Sequence, residues 1–581
     1  MQTTMRAAKE AIVVKTADAQ VVKRLAADLG ISVAMATIFA VRGFTTADEC
    51  KRFSSPQQAY FNDPFLFTHM EKACDRICAA LRDREKIVIY SDYDVDGVTS
   101  TAMLLRLLRQ FGASCDYYLP NRLTEGYGLS SEGVRSLAAQ GVTLIITVDC
   151  GITACAEVAL AKSLGIDVIV SDHHEPKDAL PGAYALLDPK LPLCGYPDDA
   201  LAGVGVALKL AQGLVKRIGG TDDLWSRYLD LAAVGTAADI VPLTGENRII
   251  AHIGFGQLPY TKNEGLRALL SVQGCDGASL STGDVVFRIA PCINAVGRLG
   301  DPRRGVELLI TDDPALARLY AQELKEANVE RRALDNHIQD EAFAWVDENC
   351  DPETDYGIVA GSRQWHCGVV GIVASKLVER YHRPSILFAI GENGLARGSG
   401  RSIPGFHLHD ALTECSGLLE GFGGHAAAAG MTIKEENLSA FRNRFNEIAR
   451  SKLTPDDLIP KVTADAVVRL GDLTQEFFSG LSAMEPFGPG NMRPVLVCRD
   501  LKNRFDPRVV GERHLKLMVQ DGGVSMDAIA FNFGDRKDEL SRASAFTLAF
   551  CLDENEWNGR KTLRLSTSFP SLFIIFSALS S

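Results

Sequence analysis

The chain has neither a long apolar segment nor a paired cysteine motif. No run of about 18 apolar residues occurs, so the sequence predicts no membrane-spanning helix. Residues 1–15 lack the apolar core of a secretion signal. The 14 cysteines show no CxxC spacing, so neither a zinc ribbon nor a disulfide framework is expected. Reduced thiols are typical of cytosol, and we therefore expect a cytoplasmic protein with no membrane partner.

Length and composition are those of a globular chain with several domains. The 581 residues can bury more than one core, and 46% hydrophobic with 23% charged residues is ordinary globular usage. No internal repeat of 20 to 50 residues is evident. These values exclude a disordered or fibrous protein and leave the class to be decided by motifs.

Three aspartates, Asp92, Asp94 and Asp96, follow a predicted strand. Residues 86–90 form a short apolar run typical of a buried strand, and we expect a helix over residues 98–109. We expect the Asp-x-Asp-x-Asp alternation to keep the backbone extended and to point the three side chains the same way. Because like charges this close repel each other, the pattern predicts a divalent metal site.

A calcium-binding EF-hand loop is the alternative interpretation of the same stretch. That loop requires a bidentate glutamate at its twelfth position, where this chain has Met103, and it requires a preceding helix instead of a strand. A solvated acidic turn is the other alternative.

Acidic or histidine groups follow three further predicted strands. Residues 142–148, 166–170 and 184–187 end in Asp149-Cys150-Gly151, Asp172-His173-His174 and Asp188-Pro189. Helical segments over residues 131–140 and 154–164 alternate with these strands, which indicates a parallel, doubly wound α/β sheet. Such sheets bind ligands at the carboxyl ends of their strands, where all of these groups fall.

Taken together, the motifs resemble the DHH phosphoesterase superfamily. Further motifs lie in residues 235–243, 246–248, 294–298, 365–375, 398–405 and 423–430. The complete set and its order are similar to the RecJ family of bacterial single-strand-specific DNA exonucleases. The resemblance runs from about residue 61 to about residue 565, and the DHH motif alone would indicate only the superfamily.

The resemblance implies two divalent ions, Mg²⁺ or Mn²⁺, and hard oxygen ligands with one or two histidines suit these ions better than zinc. By resemblance the first ion is held by Asp92, Asp94 and Asp149, and the second by Asp96, Asp149, His173 and Asp239, with Asp149 bridging. Asp172 would orient His173, while His174 and Arg298 would contact the scissile phosphate. A histidine pair taken alone is more commonly structural than a metal ligand.

A second group of residues is predicted to bind the substrate. Backbone N–H groups at Gly398 and Gly400, the Ser399 hydroxyl and the Arg401 guanidinium could converge on one phosphate. The resemblance implies that Ser399 and Arg401 anchor the 5′ end of the strand and that His425 contacts substrate. The alternative for residues 423–430 is a tight turn into a close-packed helix. Trp365 and His366 are further candidates to contact substrate. The equal alternative is that Trp365 belongs to a hydrophobic core.

The chain also lacks a net positive charge. Its net charge is −12, which at first argues against a nucleic-acid partner. Part of that acidity belongs to the predicted metal site, and DNA requires a local basic channel instead of a basic protein. Candidates to line a channel are Arg122, Arg298, Arg303, Arg304, Arg363, Arg397 and Arg401. Each taken singly is more commonly a surface residue.

We predict a helical N-terminal segment (1–80), a DHH metal-binding domain (81–245) and a helical connector (246–350). A second α/β domain (351–453), an OB-like β-barrel (456–570) and an atypical tail (571–581) follow. The connector contains one long charged helix over residues 313–348, with Leu316, Leu319, Leu324 and Val329 on an apolar stripe. The tail is apolar where the resemblance leads us to expect an acidic closing strand.

The expected function is a 5′→3′ exonuclease that releases 5′-mononucleotides from single-stranded DNA in repair and recombination. We expect a helicase and a single-strand-binding protein as partners. The alternative is a DHH-type hydrolase of short oligonucleotides, cyclic dinucleotides or pyrophosphate. A third possibility is a binding protein that keeps the fold, which is weakened because every metal position is filled.

Overall fold

A computed structural model describes residues 12–120, 128–299, 301–351, 353–511, 513–557, 559–567 and 574–576, without the side chains of residues 298, 299, 557 and 574–576. The chain divides into two compact units. One unit comprises Ser55–Arg331 and Glu485–Met492, and the other comprises Met1–Ser54, Arg332–Met484 and Arg493–Ser581.

The first unit is built on a five-stranded parallel sheet. Its strands, in spatial order, are Ser114–Tyr118, Lys86–Ser91, Leu144–Val148, Asp167–Ser171 and Ala185–Leu187. Its helices are Met70–Asp83, Val95–Gln110, Ser131–Ala139, Cys155–Ser163, Gly203–Arg217, Asp223–Ser226, Leu229–Ala238, Gly245–Gln257, Glu264–Val272, Thr282–Asp284, Ala290–Leu299 and Arg303–Ile310.

Helices cover both faces of this sheet because the strands are apolar on both faces. In the strand Lys86–Ser91, Ile87 and Ile89 join the core that includes the helix Val95–Gln110. Val88 and Tyr90 point the other way and join the core that includes the helix Ser131–Ala139. Strand alternation thus feeds two cores, and the predicted doubly wound fold is confirmed.

The second unit contains a mixed sheet with the spatial order Leu419–Gly424, Ala428–Lys434, Leu395–Arg401, Ser385–Ile390 and Ile358–Ser362. Only the pair Ile358–Ser362 and Ser385–Ile390 is parallel. The helices of this domain are Val370–Tyr381, Leu408–Thr413 and Leu438–Lys452. The predicted second α/β domain is therefore present.

Five strands near the C-terminus close into a barrel, as predicted for an OB-like fold. They are, in order around the ring, Leu496–Asn503, His514–Asp521, Val524–Ala530, Arg560–Thr567 and Phe546–Trp557, and the last pairs with the first. Shorter strands are Ala466–Val467, Arg508–Val510 and Ile574–Phe576, and the helices are Gln475–Ser482 and Lys537–Arg542. Of the predicted atypical tail, only residues 574–576 are described, and they pair with the strand Phe546–Trp557.

The N-terminal region is helical, as expected, with one departure. The helices are Ala19–Leu29, Val33–Ala40 and Ala47–Ser54. The strand Ile12–Val14 precedes them and pairs in parallel with Val462–Ala464. The expected all-helical segment missed this strand because three residues carry too little periodicity to indicate it.

The long charged helix runs over Pro314–Asn349, within one residue of the prediction at each end. Its predicted apolar stripe was wrong in three of four positions, since Leu316, Leu319 and Val329 are exposed and only Leu324 is buried. The buried positions in that half of the helix include Ala317, Ala321 and Asn328. Small side chains allow close packing of a helix. The predicted stripe was chosen from large apolar residues, and it therefore did not include the face of the helix that is buried.

No helix in the described part of the chain is both long and apolar enough to cross a bilayer.

Candidate metal centre and anion-binding strand

The register of the parallel sheet brings the strand-end acids together. Ser91 pairs with Val148, Val148 with Ser171, and Ser171 with Leu187. The residue after each of these positions is an aspartate: Asp92, Asp149, Asp172 and Asp188. One edge of the sheet therefore carries a row of four adjacent carboxylates, all of them buried.

Asp94 and Asp96 reach this edge through a helix start instead of an extended backbone, which corrects the expected geometry. The helix begins at Val95, three residues earlier than predicted, and Asp94 is its N-cap. The Asp94 carboxylate accepts hydrogen bonds from the backbone N–H of Asp96 (2.9 Å) and of Gly97 (3.1 Å). N-capping competes successfully with the extended form because it satisfies helix donors that would otherwise have no partner.

Three groups of side chains in the described chain offer ligand atoms within 4.8 Å of one another: Asp92, Asp94 and Asp149; Asp96, His173 and Asp239; and Asp149, His173 and His174. The first two contain residues that were predicted to hold the two ions. His173 Nε2 links the two, because it lies 3.1 Å from Asp149 Oδ1, 3.6 Å from Asp239 Oδ2 and 3.9 Å from Asp96 Oδ2. The geometry is consistent with two adjacent ions that share Asp149.

In the absence of a cation, burial and mutual repulsion disfavour the charged form of these carboxylates. Burial, and then the Asp239 and Asp94 charges, hold the pKa of Asp96 well above its usual range. The pKa of Asp149 is raised in the same way by burial and by the Asp96 charge. Burial and the Asp94 charge raise the pKa of Asp239 to about 7. A divalent ion would reverse this cost by neutralising the cluster.

His173 is poised as a neutral ligand. Burial, assisted by the neighbouring His174, lowers its pKa to about 4, so the ring is uncharged at neutral pH. The backbone of Leu201 hydrogen-bonds the ring. Within the described residues, His173 Nε2 and Asp239 Oδ2 are buried atoms that make no hydrogen bond. Buried polar atoms in this state fit ligands of a metal ion.

Asp172 orients His174 and not the ring of His173, which corrects the predicted role. Asp172 Oδ1 lies 2.8 Å from His174 Nδ1 and also accepts the backbone N–H of His173 (2.8 Å). Residues two apart in extended backbone share a side, which favours the His174 contact. Burial lowers the His174 pKa, but the Asp172 hydrogen bond and charge outweigh it and leave the pKa raised. The His174 side chain is 44% exposed.

Asp188 shares the sheet edge but belongs to neither ligand group. Its Oδ1 accepts the backbone N–H of Lys190 at 2.8 Å, and burial raises its pKa to about 7. It therefore provides a natural comparison for the ligand aspartates.

The helix that contains Arg298 ends beside the acidic cluster. This helix is Ala290–Leu299, and the Arg298 side chain lies outside the described part of the structure. A side chain built at Gly297 would lie 3.3 Å from the carbonyl oxygen of Tyr93, between Asp92 and Asp94. The end of this helix thus packs against the aspartate-rich turn.

Arg401 and Ser399 form a cationic site on a strand of the second unit. Arg401 Nη1 donates to Ser399 Oγ (3.0 Å) and to the Gly400 carbonyl (2.8 Å). Burial lowers the pKa of Arg401, and within the described chain the guanidinium makes no ion pair. A side chain at Gly371, in the first turn of the helix Val370–Tyr381, would lie 2.8 Å from Ser399 Oγ. A half-buried cation beside a helix N-terminus is suited to an anion.

The remaining substrate-binding candidates differ in their surroundings. His425 is exposed in a β-turn between the strands Leu419–Gly424 and Ala428–Lys434, so the alternative of a turn into a helix was wrong. Trp365 is buried and donates from Nε1 to Glu341 (2.8 Å), which makes it a core residue. Arg303, Arg304 and Arg363 are engaged in ion pairs, and Arg122 lies outside the described residues.

The segment Leu201–Val204 contacts two of the predicted ligands, although no sequence motif marks it. Gly203 N donates to Asp96 Oδ2 (2.8 Å) and Val204 N to Asp96 Oδ1 (2.7 Å). A side chain at Gly203 would lie 2.8 Å from Asp149 Oδ1 and 3.0 Å from Asp96 Oδ2. Backbone donors leave no residue-type signature, so only the glycine of this segment could have drawn attention.

The domains and the site define a phosphoesterase of the DHH class. Residues 86–236 match the DHH family N-terminal domain, residues 355–451 the DHHA1 domain and residues 464–568 the RecJ OB domain.

Curated relatives identify the family within that class. The chain is 41% identical over 564 residues to the single-stranded-DNA-specific exonuclease RecJ of Bacillus subtilis, covering 97% of this chain and 71% of the relative. It is 38% identical to the Escherichia coli protein of that name, covering 91% and 94% of the two chains. The chain belongs to the RecJ family.

Solved structures agree with this assignment. The crystal structure of Thermus thermophilus RecJ in complex with Mn²⁺ superposes with a TM-score of 0.82 at 31% identity, covering 96% of this chain and 79% of that one. The Mg²⁺ complex of the same protein gives a TM-score of 0.76 at 29% identity, covering 96% and 78%.

Proposed function

We propose that the chain is a metal-dependent exonuclease that degrades single-stranded DNA from its 5′ end and releases 5′-mononucleotides. The observation that carries the proposal is the cluster of carboxylates and histidines at one edge of the parallel sheet, in a member of the RecJ family. Mg²⁺ and Mn²⁺ are the ions found in the related crystal structures, and oxygen-rich ligands suit both.

We assign the first ion to Asp92, Asp94 and Asp149, and the second to Asp96, Asp149, His173 and Asp239, with Asp149 shared. Two ions held there would polarise the phosphate oxygens and lower the pKa of a bound water. At neutral pH the uncharged His173 can supply a lone pair, because its pKa is about 4. Asp172 fixes the ring of His174 and favours its protonated form, so His174 can donate a hydrogen bond to the scissile phosphate. Arg298 contributes a second positive charge to the same phosphate.

Arg401 and Ser399 bind the terminal 5′ phosphate in this proposal. Their mutual hydrogen bond presets the geometry, and the half-buried guanidinium has no carboxylate partner within the described chain. The exposed His425 contacts the strand. Binding one end of the polymer sets the direction of degradation, because only that end can enter the site first.

A DHH-type hydrolase of short oligonucleotides, cyclic dinucleotides or pyrophosphate is the second candidate. The five-stranded C-terminal barrel favours a polymer, since OB-like folds follow the backbone of single strands and small substrates do not need one. A helicase and a single-strand-binding protein would supply the single strand, and we keep both as proposed partners.

A comparison of substrates tests the proposal. The protein is incubated with Mn²⁺ in three separate reactions. One contains a 5′-phosphorylated single strand, one a cyclic dinucleotide and one pyrophosphate. We expect rapid mononucleotide release from the strand and slow or no hydrolysis of the small substrates. Efficient hydrolysis of a small substrate with an untouched strand would refute the exonuclease and favour the second candidate.

A further inference from the structure

Asn247 is a fully buried amide that contacts two segments of the site at once. Its Nδ2 donates to the carbonyl of Ala200 (2.5 Å) and to the carbonyl of Pro242 (3.1 Å), and its Oδ1 accepts the backbone N–H of Ala202 (3.3 Å). Neither sequence analysis nor the ligand groups assign it a role.

The first segment, residues 200–204, holds two candidate ligands of the second ion. Backbone donors at Gly203 and Val204 fix both oxygens of Asp96, and the backbone of Leu201 hydrogen-bonds the His173 ring. A shift of this segment would therefore move Asp96 and His173 together.

The second segment, residues 239–243, carries the third ligand, Asp239. Its next residue, Ile240, has a φ of 63°, a left-handed conformation that is costly for a β-branched side chain. Such a turn persists only when its surroundings hold it. Asn247 holds the Pro242 carbonyl, and the Leu243 N–H donates to the Pro489 carbonyl (2.7 Å).

We propose that Asn247 is a positioning residue that fixes residues 200–204 and 239–243 to each other and so sets the spacing of Asp96, His173 and Asp239. The inference rests on the proposed metal site. An amide is required because one side chain must both donate to two carbonyls and accept from an N–H. Aspartate offers only acceptors and would add a buried charge.

Asn247 is not the sole support of these segments, so its variants should fold. Asp198 accepts the backbone N–H of Glu246 (2.7 Å) and of Ala200 (3.2 Å), which holds one end of the first segment independently. Leu243 and its partner hold the end of the second.

A matched control lies in the same unit. Asn263 is also buried, donates from Nδ2 to the Leu309 carbonyl (2.8 Å) and accepts the backbone N–H of Leu266 (2.9 Å). It caps the helix Glu264–Val272 and contacts none of the candidate ligands. Substitution of Asn263 thus removes comparable hydrogen bonds for stability alone.

The test measures Mn²⁺ binding by calorimetry, with the free-ion signal in electron paramagnetic resonance as a second readout. The full-length wild type is compared with Asn247→Leu, the milder Asn247→Ser, Asn263→Leu and Asn263→Ser. We expect the wild type to bind two ions. The Asn247 variants should bind one of them about 10- to 100-fold more weakly, as for loss of a residue that orients metal ligands. The Asn263 variants should lower the melting temperature without changing Mn²⁺ affinity.

Two outcomes would overturn the inference while the proposed function stands: Mn²⁺ affinity of both Asn247 variants within twofold of wild type, or equal weakening in the Asn263 variants. A wild type that binds no Mn²⁺ would instead refute the proposed metal site, and the inference with it. If Asn247→Leu does not fold, Asn247→Ser decides between these outcomes.

Discussion

At the scale of single residues, the site concentrates charge that the protein alone does not stabilise. Asp149 illustrates this best, because its carboxylate is buried, has a raised pKa and sits in the left-handed backbone region with a φ of 58°. Its neighbours Asp96 and Asp94 add repulsion. Residues arranged at a cost to stability are typical of functional sites.

Asp149→Ala is expected to abolish hydrolysis, because both ions lose a shared ligand. The metal-free variant should melt at a higher temperature than metal-free wild type at neutral pH, since the cost of burying this carboxyl group among other acids is gone. Activity with Mn²⁺ and melting curves without metal measure the two effects. Asp188→Ala is the control, because Asp188 is the equivalent strand end outside both ligand groups. Near-normal turnover of Asp149→Ala at any Mn²⁺ concentration would remove Asp149 from the site.

Arg401→Ala should raise KM for 5′-phosphorylated strands more than it lowers kcat, the pattern of lost uniform binding. The loss should be about 1.5–3 kcal/mol, as for a hydrogen bond to a charged group. Steady-state kinetics on strands with and without the 5′ phosphate measure it.

The control is Arg380→Ala in the same α/β domain, whose guanidinium pairs with Asp347 (3.0 Å), and it should change KM little. The proposed role of Arg401 is wrong if the loss is the same on strands that lack the 5′ phosphate.

At the scale of helices and strands, the sequence predicted the parallel sheet and its ligand edge because apolar runs and strand-end acids are local signals. The long helix Pro314–Asn349 was predicted to within one residue at each end. Local patterns did not predict the helix start at Val95, because N-capping by Asp94 and the predicted extended form use the same residues.

The segment Leu201–Val204 was missed for a different reason. It acts through backbone N–H groups at the start of the helix Gly203–Arg217, and long-range backbone contacts leave no pattern in composition or periodicity. The buried stripe of the long helix was misassigned because its small residues pack more closely than its leucines.

Gly203→Ala tests that helix start. The added methyl group would meet Asp149 Oδ1 at 2.8 Å and Asp96 Oδ2 at 3.0 Å, so at least one carboxylate must move. We expect weaker Mn²⁺ binding and a large loss of kcat, with the helix retained. Gly256→Ala is the control, because nothing lies within 4 Å of its added methyl group. Wild-type Mn²⁺ affinity in Gly203→Ala would show that this close approach does not matter.

At the scale of the whole molecule, the acidic cluster links stability to pH and to metal. The folded-state pKa of Asp239, about 7, lies above its ordinary value of 3.8, and Asp96 and Asp149 shift in the same direction. The folded protein therefore holds these protons more tightly than the unfolded chain does. The contribution of these groups to the free energy of unfolding is fully present below their ordinary pKa of 3.8. It is lost as the pH rises through about 7.

Metal-free protein should accordingly lose stability between about pH 4 and about pH 7 through these groups. Mn²⁺ replaces the protons, so the rise in Tm on adding Mn²⁺ should be larger at about pH 8 than at about pH 5.5. Calorimetric melting curves with and without Mn²⁺ at both pH values measure this. Asp239→Asn should reduce the difference, and an equal rise at both pH values would contradict the coupling.

Product analysis on labelled DNA tests the central claim most directly. A single strand carrying one label at its 5′ end or one at its 3′ end, and the blunt duplex of the same sequence, are incubated with protein and Mg²⁺, Mn²⁺ or a chelator. We predict that the 5′ label appears at once as a mononucleotide, that the 3′ label remains on progressively shorter strands, and that the duplex and the chelated samples stay intact. Early release of the 3′ label, equal degradation of the duplex, or activity in the chelator would contradict a metal-dependent, single-strand-specific exonuclease that acts from the 5′ end.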